Sequence, residues 1–396
     1  MRHLLLITLS LFLFQCNSDE NSLTPADDTF NGSDFDFTQF FSADFNSLPD
    51  YANQTIPNYI TRDNTGNNTI TDNGAMLGRV LFYDKNLSFD NTIACASCHK
   101  QNLAFGDDAS QSVGVDGVTG RHSMRLVNSR FSDEVNFFWD ERANSLEAQT
   151  TQPIQDHIEM GFSGQNGQPD FNDLILKLEG IDYYPELFGR AFGNSEITEA
   201  RVQNALAQFI RSIISFDSKY DIGRTQVAND GQDFPNFTAE ENQGKNLFLA
   251  PPNFNIQGQR IGGGIGCGGC HRAPDFSIVP NSGNNGIIGT ADGTGTDLTV
   301  TRSPSLRDVI KTDGTANGQF MHIGVSSNII TVLNHYNNIN FNPATNNNLD
   351  QRLRPGGIGQ QLNLTNAERD AVIAFLETLA GSDVYTNEKW SDPFLN

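Results

Sequence analysis

A chain of 396 residues with a formal net charge of −22 is long enough for two domains. It is too acidic to favour nucleic acid, or an anionic membrane surface, by charge. What remains is a basic or neutral protein partner, such as a small cationic electron carrier.

The chain opens with Arg2 and His3, an apolar run from Leu4 to Phe14, and Cys16. That order is an export signal over 1–16, of the type in which the closing cysteine is lipidated after cleavage, although Gln15 replaces the usual small residue. The apolar run is too short to cross a bilayer. The expected location is the periplasm, or the outer membrane through a lipid on Cys16, of a Gram-negative bacterium. Residues 17–70 are rich in Asp, Asn, Ser, Thr and Phe with no helical period, and read as a flexible acidic tether.

From Ala75 the pattern turns helical, with Met76, Leu77, Val80 and Leu81 in one apolar stripe. Cys95-Ala96-Ser97-Cys98-His99 follows, then a Gly- and Asp-rich loop from Gly106 to Gly120. Thr198 to Phe216 is the clearest long helix, with Val202, Ala205, Leu206, Phe209, Ile210, Ile213 and Ile214 on one face. After a polar linker from Val227 to Phe237, Thr238 and Glu241 form a capping box for a helix ending near Ala250. The glycine run Gly262 to Gly269 is not a phosphate loop, since no G-K-S/T follows, and it leads into Cys267-Gly268-Gly269-Cys270-His271. Ser303–Ile310 and Ile329–Asn337 are short helical patterns, and a last helix is capped by Thr365 with Glu368 and stops at Gly381. No strand series appears. The expected fold is mainly α, two cytochrome c-like domains packed together, over 71–228 and 235–396.

C-x-x-C-H is the attachment signature of a c-type haem. Two thiols one turn apart add to the haem vinyl groups, and the adjoining His ligates the iron. A redox dithiol has no need of the His, and a Cys₄ zinc site would leave both His unused. Two signatures predict two covalently bound haems, held by Cys95, Cys98 and His99 and by Cys267, Cys270 and His271.

Further motifs surround both signatures: Leu77-Gly-Arg-Val-Leu-Phe-Tyr83, Phe138-Trp-Asp-Glu-Arg142, Leu146-Glu-Ala-Gln149, Pro153-Ile-Gln155 and Glu159-Met-Gly161, then Pro304-Ser-Leu-Arg307, Met321-His-Ile-Gly324 and His335-Tyr-Asn337. Over roughly 70–390 the chain resembles the bacterial dihaem cytochrome c peroxidases and the relatives typified by MauG. The resemblance implies that the first haem, on His99, meets hydrogen peroxide. The second, on His271, would receive electrons from a small protein such as a monohaem cytochrome or a cupredoxin. It further implies that Trp139 relays electrons between the haems, that Glu159 and Gln149 form the distal pocket, that Pro153 shapes it, and that two chains pair as a dimer. A carboxylate beside an apolar haem face could serve as both base and acid in splitting a peroxide bond.

Two departures stand out. Where many relatives carry a closing His in an S-V-G-H loop, this chain has Ser112-Val-Gly-Val115, which implies an open first haem; His122 is the alternative closing ligand. The distal ligand of the second haem would be Tyr336, with Met321 and His335 as competitors, and Ile323 stands where relatives commonly have Asp. The resemblance also implies one calcium ion held by Asn128, Asn317 and Gln319, with oxygen donors suited to that cation. Three activities fit these residues: peroxide reduction, MauG-like oxidation of a protein substrate, and electron transfer without turnover.

Overall fold

The computed structural model describes residues 35–133, 136–277 and 282–395. The expected export signal and Cys16 lie outside the described residues.

The described chain is mainly helical. The helices are α1 (Asp72–Tyr83), α2 (Cys95–Cys98), α3 (Leu146–Thr150), α4 (Gln152–Gln155), α5 (Phe171–Glu179), α6 (Tyr183–Phe192), α7 (Glu199–Ser212), α8 (Lys219–Arg224), α9 (Ala239–Leu249), α10 (Ile329–Asn337) and α11 (Asn366–Glu377). Two antiparallel ribbons complete the regular structure, β1 (Val113–Gly114) with β2 (Gly117–Val118) and β3 (Pro252–Phe254) with β4 (Arg260–Gly263). Among the described residues no helix is long and apolar enough to cross a membrane.

Each half is built on one helix pair, the first helix ahead of its C-x-x-C-H in the chain and the second after it. In the first, α1 packs on α7 so closely that a Cβ on Gly78 would collide with the carbonyl oxygen of Ala205. In the second, α9 packs on α11, and a Cβ on Gly244 would collide with the carbonyl oxygen of Ala371. Only glycine permits either approach. The caps are those the sequence announces: Thr198 for α7, Thr238 with Glu241 for α9, and Thr365 with Glu368 for α11. Helices α5 and α6, which periodicity did not single out, bury Leu174, Leu178, Tyr184 and Phe188 on the first core.

Two large apolar cores result among the described residues, with a small third cluster of Ile339, Leu349 and Leu353. The second begins at Tyr220, earlier than the expected boundary near 228, because that ring sits 5.3 Å from Phe234 and 5.0 Å from Phe276. Ser303–Ile310, expected as a helix, forms none; its backbone and side chains are engaged elsewhere, as described below.

Residues 35–70 are not a free tether. Phe37, Phe41, Phe45 and Tyr51 are buried in the first core, where the gain from burying four aromatic rings outweighs the cost of ordering a polar segment. The segment also straps the halves together: the Tyr59 hydroxyl donates to Asp221 at 2.6 Å, and Arg62 pairs with Asp133 and Asp275 at 2.7 and 2.6 Å. The chain's end packs on the same side, with the indole of Trp390 donating to the Ser212 carbonyl at 3.0 Å.

Candidate functional site

The two C-x-x-C-H segments wall two different cavities. The first cavity, of roughly 660 Å³, is lined by Cys95, Cys98, His99, His122, Trp139, Gln149, Pro153 and Glu159. The second, of roughly 500 Å³, is lined by Cys267, Cys270, His271 and Tyr336. Both volumes lie in the range of small-molecule and cofactor sites. Because the pairs face separate cavities, they cannot share one metal ion, and the described residues hold no cluster of three or more His, Cys, Asp or Glu placed to bind one.

The residues fit a haem in each cavity. Helix α2 brings Cys95 and Cys98 onto one wall, and the His99 amide closes the turn on the Cys95 carbonyl at 3.0 Å. His99 Nδ1 lies 3.2 Å from the Phe105 carbonyl, so Nδ1 carries the proton and Nε2 keeps its lone pair for iron. His271 repeats the arrangement, with Nδ1 3.0 Å from the Pro304 carbonyl and 3.3 Å from that of Phe276. Burial holds His271 neutral, pulling it down to about 4. The four thiols are unpaired; burial pushes Cys95 and Cys267 up to about 12, and Cys98 and Cys270 to about 11. Thiols so protonated are poor exchange dithiols.

The Pro304-Ser-Leu-Arg307 stretch is extended because every part of it has a job. Pro304 orients His271, Ser305 Oγ donates to the Asp275 carbonyl at 2.8 Å, and the fully buried Arg307 pairs with Asp221 at 2.8 Å.

In the first cavity, Gln149 projects from α3, whose N-terminus is capped by Ser145, and Pro153 starts the turn of α4. Asp156 Oδ1 accepts the amides of Ile158 and Glu159 at 2.8 and 3.0 Å, fixing the turn that delivers Glu159. Burial, then the neighbouring Asp156, raise the Glu159 carboxyl to about 7, against the opposing pull of Arg142. Val115 lies against this turn, its amide donating to the Glu159 carbonyl at 3.1 Å, and it offers no ligand atom. His122 Nδ1 is 2.9 Å from the Ala109 carbonyl.

Trp139 is placed where the halves meet. Its indole N–H donates to the His122 carbonyl at 2.7 Å, and its ring centroid is 6.2 Å from that of His322. In the second cavity Tyr336, on α10, reaches the wall. Met321 and His335 do not line it: Met321 Sδ accepts from Asn285, and His335 Nε2 is 2.8 Å from the Asn285 carbonyl.

The expected calcium donors have protein partners among the described residues. Asn128 Nδ2 donates to the Ser215 carbonyl at 3.0 Å and its Oδ1 accepts the Ser215 amide at 2.9 Å, so both amide atoms are engaged. The Asn317 carbonyl accepts the guanidinium of Arg125, and Gln319 donates to the Asp108 carbonyl at 3.2 Å. Sequence reasoning missed Arg142, Asp156 and His322 as parts of the site. Arg142 stacks 3.5 Å over the Phe138 ring and lies within the Phe138–Arg142 motif, which was the available signal.

Two haem-attachment cavities in two packed helical halves define the class: a two-domain, dihaem c-type oxidoreductase. Residues 72–227 match the family described as di-haem cytochrome c peroxidase. The methylamine utilization protein MauG of Methylophilus methylotrophus is 29% identical over 322 residues, covering 79% of this chain and 84% of that one. Cytochrome c551 peroxidase of Nitrosomonas europaea is 28% identical over 248 residues, covering 59% and 65%. A crystal structure of a MauG-like protein associated with microbial copper homeostasis superposes with a TM-score of 0.64 at 26% identity, covering 86% of this chain and 99% of that one. The match to the di-haem cytochrome c peroxidase family thus covers the first half, and the likeness to MauG and to the peroxidases runs on through the second.

Proposed function

We propose that the protein is an exported peroxidase that reduces hydrogen peroxide to water with two electrons from a small redox protein, taken in at the second cavity. When bound, the haems supply the redox chemistry: peroxide is reduced at the first, and electrons enter at the second. The observation that carries this reading is the convergence of Glu159 and Gln149 on the cavity that holds Cys95, Cys98 and His99. Glu159, poised near 7, takes a proton from peroxide as carboxylate and returns it to the leaving oxygen as acid. Gln149 orients the peroxide through its amide, and Pro153 shapes the wall. Trp139 passes electrons between the halves. A pure electron carrier has no use for this acid and amide beside one haem.

A second reading, MauG-like oxidation of a protein substrate, is favoured by Tyr336 at the second cavity. A phenolate ligand there would stabilise ferric iron and lower the potential. The deciding experiment supplies peroxide and a reduced donor protein to the haem-loaded enzyme. Sustained catalytic oxidation of the donor supports the peroxidase. Peroxide consumption that ignores the donor and leaves oxidised side chains on a protein substrate favours the second reading.

A further inference from the structure

The mouth of the second cavity departs from the rest of this acidic molecule. Residues 242–274 contain no Asp or Glu, and neither do 351–367, in a chain that has 47 of them. These two stretches carry the cavity's outer wall, through Pro252 and Phe254 on one side and Pro355 and Leu362 on the other. Three large apolar side chains stand out from the same stretches: Ile256 is 88% exposed, Ile261 70% and Ile358 44%. The surface is built rather than loose. The β3–β4 ribbon is tied to the second stretch by the Arg260 amide donating to the Gln361 carbonyl and the Gln361 amide donating to the Gly258 carbonyl, both at 2.8 Å. Its cations are tempered: Arg260 pairs with Glu368 and Arg352 with Asp350, each at 2.6 Å.

Exposed isoleucines grouped around a cofactor mouth mark an interaction surface. The occupant follows from the local charge. The whole-chain charge points to a cationic carrier, yet the carboxylates nearest the second cavity, Asp350 and Glu368, are already paired with Arg352 and Arg260 and leave little to hold one. We propose that the ribbon tip and the 355–358 turn dock an electron-donor protein whose redox group opens on an apolar face with a neutral or acidic rim. This rests on the second haem being the point of electron entry.

The test is stopped-flow reduction of the ferric, haem-loaded protein, which needs no peroxide. One donor is a reduced cupredoxin with an uncharged apolar face around its copper; the other is a lysine-ringed monohaem cytochrome c. The native protein is expected to be reduced faster by the cupredoxin, with little dependence on salt. The double variant Ile256→Asp, Ile261→Asp should lose about tenfold or more of that rate, as for the centre of an interface, while Ile222→Asp, an exposed isoleucine on α8, leaves it unchanged. Reduction by a small-molecule reductant should be the same in all three. Preference for the cytochrome with steep loss of rate in salt would overturn the proposal, as would an unchanged rate in the double variant. Vesicle binding or self-association that the double variant abolishes would reassign the surface to a membrane or a second copy. Peroxide turnover with the small-molecule reductant is measured separately; its absence would sink the peroxidase reading and leave the docking result standing.

Discussion

Trp139 and His322 face each other across the boundary between the halves, ring centroids 6.2 Å apart. The contact is locked by two further bonds: the Trp139 indole donates to the His122 carbonyl at 2.7 Å, and the His122 amide donates to the His322 carbonyl at 2.8 Å. This closed circuit fixes the indole on the wall of the first cavity, against the second half. Trp139→Phe should leave haem content unchanged and slow the peroxide-driven reoxidation of an electron placed on the second haem. Reoxidation at the native rate would remove Trp139 from the path.

Glu159→Gln keeps the shape of the side chain and removes its proton chemistry. Peroxide kcat/KM should fall about 10²–10⁴-fold, the usual weight of a general acid–base group, with absorption spectra of the resting protein unchanged. The native pH profile should show the same group. Burial, with Asp156 next, favours the protonated acid, so the carboxylate that begins the reaction forms only above about 7. Thus kcat/KM should rise with pH through about 7, and Glu159→Gln should flatten that limb.

Val115 gives the first haem no closing ligand from the loop that lies along Glu159. The fully oxidised protein should therefore react with peroxide on first mixing, as read by rapid-scan absorption, and Val115→His should make that reaction wait for prior reduction. A native protein that waits has its site closed by another side chain, with His122 the first to substitute.

Arg307 and Asp221 are buried together, with Ser218 and Tyr59 completing the network. Arg307→Met strands the Asp221 carboxylate. The expected loss is about 3–5 kcal/mol, as for other broken buried pairs, read as a lower denaturation midpoint in both halves.

Chelation of calcium should leave melting temperature and turnover unchanged if Arg125 at the Asn317 carbonyl and Ser215 at the Asn128 amide stand in for the ion. A chelator-dependent loss restored by calcium alone would contradict this.

The parts of this structure legible in the sequence are those with local causes. The C-x-x-C-H pairs state their own chemistry, and α7, α9 and α11 carry both a cap and a periodic face. What was not legible depends on partners far along the chain. Phe40 and Phe41 look like residues of a polar tether until Tyr183 is found against both and Phe394 against Phe41. Asn128 is legible as a motif position, but its pairing with Ser215, far along the chain, is not. Ser303–Ile310 has helical spacing, yet His271, Asp275 and Asp221 claim its groups. Glu159 was legible as a position, but its raised acidity comes from burial and from Asp156, three residues back on a turn that had to be seen.

The packing of the chain's end on α1 and α7 has a consequence for biosynthesis. Arg79 donates to the Ser391 carbonyl at 2.6 Å, Tyr83 to that of Trp390 at 2.7 Å, and Phe41 bridges to Phe394. The half that is translated first is thus completed late, because its core lacks a wall until residues 388–395 arrive. A chain cut short after α11 would keep the second half's helix pair whole and leave the first half open. The loss of a few residues around Trp390 would therefore fall on the first cavity, about 300 residues away in sequence.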